Sequence, residues 1–311
     1  MPRFTRILVL LALALGALAF GVPETAHAGA SRGGAFRHPG YGARAWGMGG
    51  AGIATVNDES AVYWNPAMLP LINRKMVGAS YINLVQGTTA QQSQIAYAHP
   101  LRWNGDEHDR TARHIVGFLY TNLHLGIGES NSYNENMLRA VYAFAPDHFV
   151  SIGFSFETFF STSDVDGFGA LGTSVGGSLR LELTASMTVA LVVRNAFSRY
   201  SFDDGADFKR DRAVALGLGY RGLPWLRLEG DIIREHGSVS RAVVGGETHY
   251  LFDRLALRAG WSYLRTGESR SIPHVGLGIR ASERFLLHYN SNLDDQAAFE
   301  DTHRFTLSVA L

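Results

Sequence analysis

The sequence predicts an all-β fold, a transmembrane antiparallel β-barrel of about fourteen strands with an N-terminal plug segment that contains a short helix. Three observations predict it: hydrophobic residues recur with period two from Lys75 to the last residue, the connections between these runs alternate short and long, and an export leader precedes them.

The leader comes first. Arg3 and Arg6 precede a run of Leu, Ala, Gly and Val from Ile7 to Phe20, and the small-residue motif Ala26-His27-Ala28 follows at signal-peptidase distance. The run is shorter than the roughly 20 apolar residues a spanning helix needs. Residues 1–28 are therefore read as a cleaved signal peptide, 29–74 as the plug and 75–311 as the barrel.

Residues 29–74 lack the two-residue period. They are rich in glycine and end in Asn57-Asp58-Glu59-Ser60-Ala61-Val62-Tyr63-Trp64-Asn65-Pro66-Ala67, where Asn57 or Asp58 is a candidate N-cap and Pro66 would end a short helix. Gly47-Met48-Gly49-Gly50-Ala51-Gly52 matches the dinucleotide pattern G-x-G-x-x-G, but no hydrophobic strand precedes it. Close backbone packing is the better reading, so Gly47, Gly49 and Gly50 with Asn65, Pro66 and Ala67 form the candidate plug motif.

Fourteen alternating runs follow, at about 75–84, 92–101, 114–123, 135–145, 149–160, 170–183, 187–195, 213–221, 225–234, 242–251, 255–264, 273–281, 284–290 and 303–311. Leu255, Leu257, Ala259, Trp261 and Tyr263 oppose Arg254, Ala256, Arg258, Gly260 and Ser262, an apolar face for lipid and a polar face for the lumen. Links such as 146–148, 184–186, 222–224, 252–254 and 282–283 are minimal, whereas 124–134, 196–212, 235–241, 265–272 and 291–302 are longer and polar. Short periplasmic turns and long external loops are the barrel pattern; the long link at 102–113 departs from it. A soluble β-sandwich also alternates, but its strands average about 5–6 residues and so many would leave open edges.

The charges on the polar face are Glu157, Arg180, Glu182, Arg194, Arg227, Glu229, Asp231, Glu247, Arg258 and Arg280, with Arg227 and Arg258 placed to pair with Glu247. In a lumen they must pair or be wetted. Inward Ala213, Ala215, Gly217, Gly219, Gly276 and Gly278 leave room for the plug. Ser198 to Gly205, mixing aromatics and charges, is a candidate mouth loop.

Other chemistries find little support. Cysteine is absent, which removes disulfides, thiolate metal sites and a Cys nucleophile. Formal charge is balanced and no basic block marks a nucleic-acid footprint. Gly172-Thr173-Ser174-Val175-Gly176 matches G-x-S-x-G but begins a strand, whereas that nucleophile needs a strand-to-helix turn. Ser262 and His249 have no evident partners for lipase-like chemistry, and His288 with His303 are too few for a metal site. No catalytic residue, metal or cofactor is expected.

Ala43-Arg44-Ala45-Trp46-Gly47-Met48-Gly49-Gly50-Ala51, continuing to Asn65-Pro66-Ala67, resembles the N-terminus of the FadL-like outer-membrane proteins, and of their PorV/PorQ branch most. Leu257-Arg258-Ala259-Gly260-Trp261, His288-Tyr289 and Glu300 to Phe305 are similar to that branch's later strands. The resemblance implies a fourteen-stranded plugged barrel in the outer membrane, surrounded by lipid. It implies passage of a hydrophobic small-molecule ligand or, as the alternative, work with the proteins of a secretion or surface-assembly system.

Overall fold

A computed structural model describes residues 40–84, 90–101, 113–127, 131–164, 169–203, 207–235, 238–250, 254–266, 268–293 and 302–311. The expected signal peptide, most of the link 102–113 and the turn at Phe252-Asp253 lie outside them.

Fourteen strands form one closed antiparallel ring among the described residues: β1 (Met76–Asn83), β2 (Gln91–Leu101), β3 (Arg113–Ile127), β4 (Asn131–Ala145), β5 (Val150–Ser163), β6 (Ala170–Thr184), β7 (Met187–Phe202), β8 (Ala213–Leu223), β9 (Leu226–Glu235), β10 (Ser238–Tyr250), β11 (Leu255–Thr266), β12 (Glu268–Arg280), β13 (Phe285–Asn292) and β14 (His303–Ala310). Each pairs with its chain neighbours, and β1 closes on β14 from Met76↔Ala310 to Asn83↔His303. Closure satisfies every strand edge, which lipid requires. A two-residue piece, Asp207–Phe208, pairs with the outer part of β7 only.

The strands outrun their hydrophobic signal at one end. Pairing of β3 with β4 extends to Ile127↔Asn131, β9 with β10 to Glu235↔Ser238, β11 with β12 to Thr266↔Glu268, and β6 with β7 to Ala170↔Phe202. The expected loops at 124–134, 235–241 and 265–272 are thus mostly strand, and Ser198–Phe202 of the expected mouth loop belongs to β7, with Asp204 and Gly205 outside the described residues. Backbone pairing needs no apolar face, so beyond the membrane belt a strand continues with polar residues on both sides and loses its period. At β7 a register shift coincides with Asn195 at φ 52°, held by Ser174 Oγ donating to its Oδ1 and by its own Nδ2 donating to Asp211 O. Asparagine tolerates this left-handed conformation.

Large apolar side chains stand exposed around the ring, among them Ile95, Phe118, Leu138, Phe154, Leu218, Leu228, Leu257 and Phe305. Tyr142, Tyr220, Trp225 and Phe285 cluster toward the short-turn end, Tyr81 and Tyr263 toward the other, like the aromatic girdles of spanning barrels. So wide an apolar exterior is foreign to a water-soluble monomer.

Residues 40–72 fill the ring as the plug. Its elements are α1 (Ala43–Gly47), α2 (Ala61–Trp64) and a 3-10 helix (Pro66–Leu71). The Asp58 carbonyl accepts from Ala61 N at the start of α2. Pro66 does more than end that helix: it opens the 3-10 turn, with Asn65 as N-cap accepting from Ala67 N at 3.0 Å.

The expectation of a polar inner face holds only in part. Ala96, Ala98, Ile115, Leu119, Val141 and Ala143 point inward from β2–β4 and join plug residues Ile53, Val62, Trp64, Met68 and Leu69 in one buried apolar cluster. A lumen filled with protein is a core, and a core needs apolar contact. Buried charges stand on both sides, Glu135, Arg139, Glu157, Arg180 and Arg194 on β4–β7 and Glu229, Asp231, Glu247, Arg258 and Arg304 on β9–β14.

Candidate functional site

The luminal site is the contact between the plug and the ring, and glycine makes its closest approaches. Gly49 and Gly50 carry φ of 77° and 84°, so their conformation suits glycine. Gly47 of α1 lies against β12, where a Cβ on Gly276 would sit 2.8 Å from Gly47 Cα. Gly217 and Gly219 of β8 likewise leave space for Ile53 and for Ala54 with Thr55.

Inward polar groups then grip the plug backbone. Asp231 Oδ2 accepts from Gly52 N at 3.1 Å, Glu229 Oε1 accepts from Ala54 N at 2.5 Å, and Thr55 Oγ1 donates to Glu229 Oε2. Asn65 donates through Nδ2 to Ile53 O at 2.6 Å. Ala67 N donates also to Ser178 Oγ of β6, and Ala43 N to Thr306 Oγ1 of β14. The expected plug motif is thereby brought onto the inner wall, Gly47 and Gly49 against β11 and β12, Pro66 and Ala67 against β5.

Arginines complete the contact. Arg139 of β4 pairs with Glu157 of β5 at 2.5 Å and donates to Tyr63 O at 2.7 Å, while Arg194 of β7 donates to Trp64 O at 3.2 Å. Both guanidiniums lie over the Tyr63 ring, at 4.9 and 5.2 Å from its centroid. Arg241 and Arg304 similarly lie 4.6 and 4.2 Å from the Trp46 ring centroid, and Arg241 Nη2 donates to Gly49 O at 2.7 Å.

The densest ion cluster centres on Glu247 of β10, which is 1% exposed. It accepts from Arg44 Nε and Nη2 at 2.9 Å each, from Arg227 Nη1 at 2.7 Å and from Arg258 Nε at 2.6 Å; His249 Nε2 is 3.0 Å away. Arg44 also pairs with Asp58 at 2.5 Å, so one plug residue is anchored to strand and plug acids together. Burial pushes the Asp58 carboxyl up, but Arg44 and the Ser60 hydroxyl outweigh it and hold it below its usual range. Burial, then the Asp58 charge, lift neighbouring Glu59 to about 8.

The remaining expected charges lie elsewhere. Arg180 pairs with Glu182 and donates to His148 O near the short-turn end, and Arg280 is exposed at the rim. Ser262 and His249 do not meet; Ser262 is buried inside the ring at 2.9 Å from His274 Nε2. His288 is buried inward while His303 contacts Tyr289, so they do not share a site.

Arg44, Arg139, Arg241, Arg304, Trp46, Tyr63, Ser178 and Thr306 are the contacts that sequence reasoning missed. Those in the plug have no period to reveal their direction. Arg139 shares its inner face with Met137, Val141 and Ala143 as well as Glu135, and its position opposite Glu157 in the β4–β5 register is the signal that could have exposed it.

No protein-family model matches the chain, and no curated protein sequence matches it. Solved structures do match in fold. The toluene transporter TodX of P. putida superposes with a TM-score of 0.57 at 16% identity, over 88% of this chain and 99% of that one. A Pseudomonas aeruginosa FadL homologue gives 0.61 at 13% identity, over 88% and 98%. The monoaromatic hydrocarbon channel CymD gives 0.58 at 14%, over 87% and 96%. The fold is therefore the fourteen-stranded barrel of these channels.

Proposed function

We propose that the chain spans the outer membrane of a Gram-negative-type bacterium as a plugged barrel and passes hydrophobic small molecules, with the short turns on the periplasmic side. The observation that carries this reading is a continuous apolar cluster beside the plug. This buried apolar cluster runs from Phe159 and Tyr200 toward the long-strand end to Ile72 and Met76 toward the short-turn end, along the plug's contact with β2–β9, with the Arg139–Glu157 pair and Arg194 set among it. Opposite it, ion pairs and hydrogen bonds anchor the plug to β9–β14. An apolar molecule crossing beside the plug would find hydrocarbon contact along that seam and exclude water from it, at the cost of displacing side chains that now fill it.

Two neighbours in fold, a toluene transporter and a monoaromatic hydrocarbon channel, support the same cargo class. The test is uptake of toluene by liposomes carrying the purified protein. Uptake above that of protein-free liposomes is expected, and equal rates sink the reading. The alternative, a PorV-like role in secretion or surface assembly, rests on the resemblance of the terminal motifs; it requires that a secretion channel or exported protein co-purify with the chain.

A further inference from the structure

A second feature lies apart from the apolar seam. At the short-turn end a cavity of about 170 Å³ opens between the plug and the inner faces of the β9–β14 side. Its wall holds Arg44, Arg74, Arg227, Arg254, Arg258 and Arg280 against only three carboxylates, Asp58, Glu247 and Glu283. Arginines against carboxylates alone give the lining a surplus of three positive charges. Arg74, Arg254 and Arg280 are exposed, so the cavity is open to solvent.

The ion pairs already described do not exhaust its donors. Glu247 is taken up by Arg44, Arg227 and Arg258. Arg258, only 5% exposed, keeps Nη1 buried without a hydrogen-bond partner, and His288, 7% exposed, keeps Nδ1 in the same condition. A buried charged donor left unpaired is costly, and an acceptor oxygen in the cavity would relieve it.

Charge narrows the ligand. The cavity has room for a tetrahedral oxyanion and, being open at its rim, for the group that carries it. Arginine forks match phosphate and carboxylate geometry, and a surplus of three charges favours a dianion over a monoanionic carboxylate. We propose that this cavity binds a phosphate group from the periplasmic side, free or at the end of a lipid headgroup. Arg258, Arg227, Arg254 and Arg280 hold it, and Arg44 links it to the plug. The site does not depend on the cargo proposed above.

The test uses the full chain in a non-ionic detergent at low salt, titrated calorimetrically with inorganic phosphate and, separately, with mixed micelles containing phosphatidic acid. Saturable one-to-one binding of at least one probe is expected, with a raised thermal midpoint. The rim double variant Arg254→Gln/Arg280→Gln should weaken binding about tenfold or more, while leaving the midpoint without phosphate unchanged. Binding of inorganic phosphate identifies a free anion as sufficient; binding of phosphatidic acid alone identifies a headgroup. The proposal is overturned if neither probe saturates, if the double variant binds as well as the parent, or if nitrate at equal ionic strength competes as well as phosphate.

Discussion

Among single residues, Glu59 and Glu247 show opposite ways of keeping a carboxyl inside the ring. Glu59 Oε1 accepts from Ser308 Oγ at 2.6 Å, but its Oε2 is buried with no partner, and burial with the Asp58 charge lifts its pKa to about 8. The unfolded group titrates near 4.5. Between those values the folded chain holds a proton that the unfolded chain has released, so this contribution is full below about 4.5 and is lost as pH rises through about 8. The thermal midpoint should fall across that window, and Glu59→Gln should flatten the fall and surpass the parent at the alkaline end. Equal slopes for the two proteins would refute this. Glu247 is the reverse case, an anion held among Arg44, Arg227 and Arg258. Neutralising it leaves three guanidiniums facing one another, and breaking a buried pair costs about 3–5 kcal/mol. Urea unfolding of Glu247→Gln in detergent should show a loss of that order. The Arg227 and Arg258 pairings were legible because strand period places all three on one face; Arg44 was not, because the plug has no period to read.

For whole elements, legibility depended on what each must bury. The cores of all fourteen strands follow from alternation, since the lipid-facing residue repeats at every second position. Their outer extensions do not, because pairing beyond the apolar belt is held by backbone hydrogen bonds alone. The inner face of β2–β4 is mixed for a related reason: Ala96, Ile115 and Val141 pack on the plug between buried Gln92, Gln94, Glu135 and Arg139. Small inward residues were the better guide to the plug, and they give a paired prediction. A Cβ on Gly276 would lie 2.8 Å from Gly47 Cα, backbone that has no free rotation to yield. Gly276→Ala should cost about 1–3 kcal/mol, the range for forced overpacking. On the outward face of β9, in line with Leu228 and Ile232, a Cβ on Gly230 would meet nothing nearer than Val243 O at 3.7 Å, so Gly230→Ala should stay within about 0.5 kcal/mol of the parent. Chemical unfolding of both variants checks this; similar losses would mean that Gly276 is not set by the plug.

The molecule as a whole is a core turned to two solvents. Its outer residues are matched to hydrocarbon, its luminal residues to a folded segment of the same chain, and water meets it at the two ends. The outward set within the apolar belt was legible from sequence, whereas the arrangement of apolar cluster and ion pairs in the lumen was not, because it depends on which face of the plug meets which strands. One substitution tests the outer assignment. Leu218, midway along β8, is 48% exposed. In a water-soluble protein an exposed leucine exchanged for arginine would change stability by no more than about 0.5 kcal/mol. At the middle of a bilayer the same exchange costs about 2–4 kcal/mol, falling toward zero near the interfaces. In lipid vesicles Leu218→Arg should therefore be destabilised by that amount, and Leu223→Arg, at the short-turn end of the same strand and 39% exposed, by much less. Equal and negligible losses at both positions would remove the bilayer from the account of this barrel, since no other surrounding distinguishes two exposed leucines by depth.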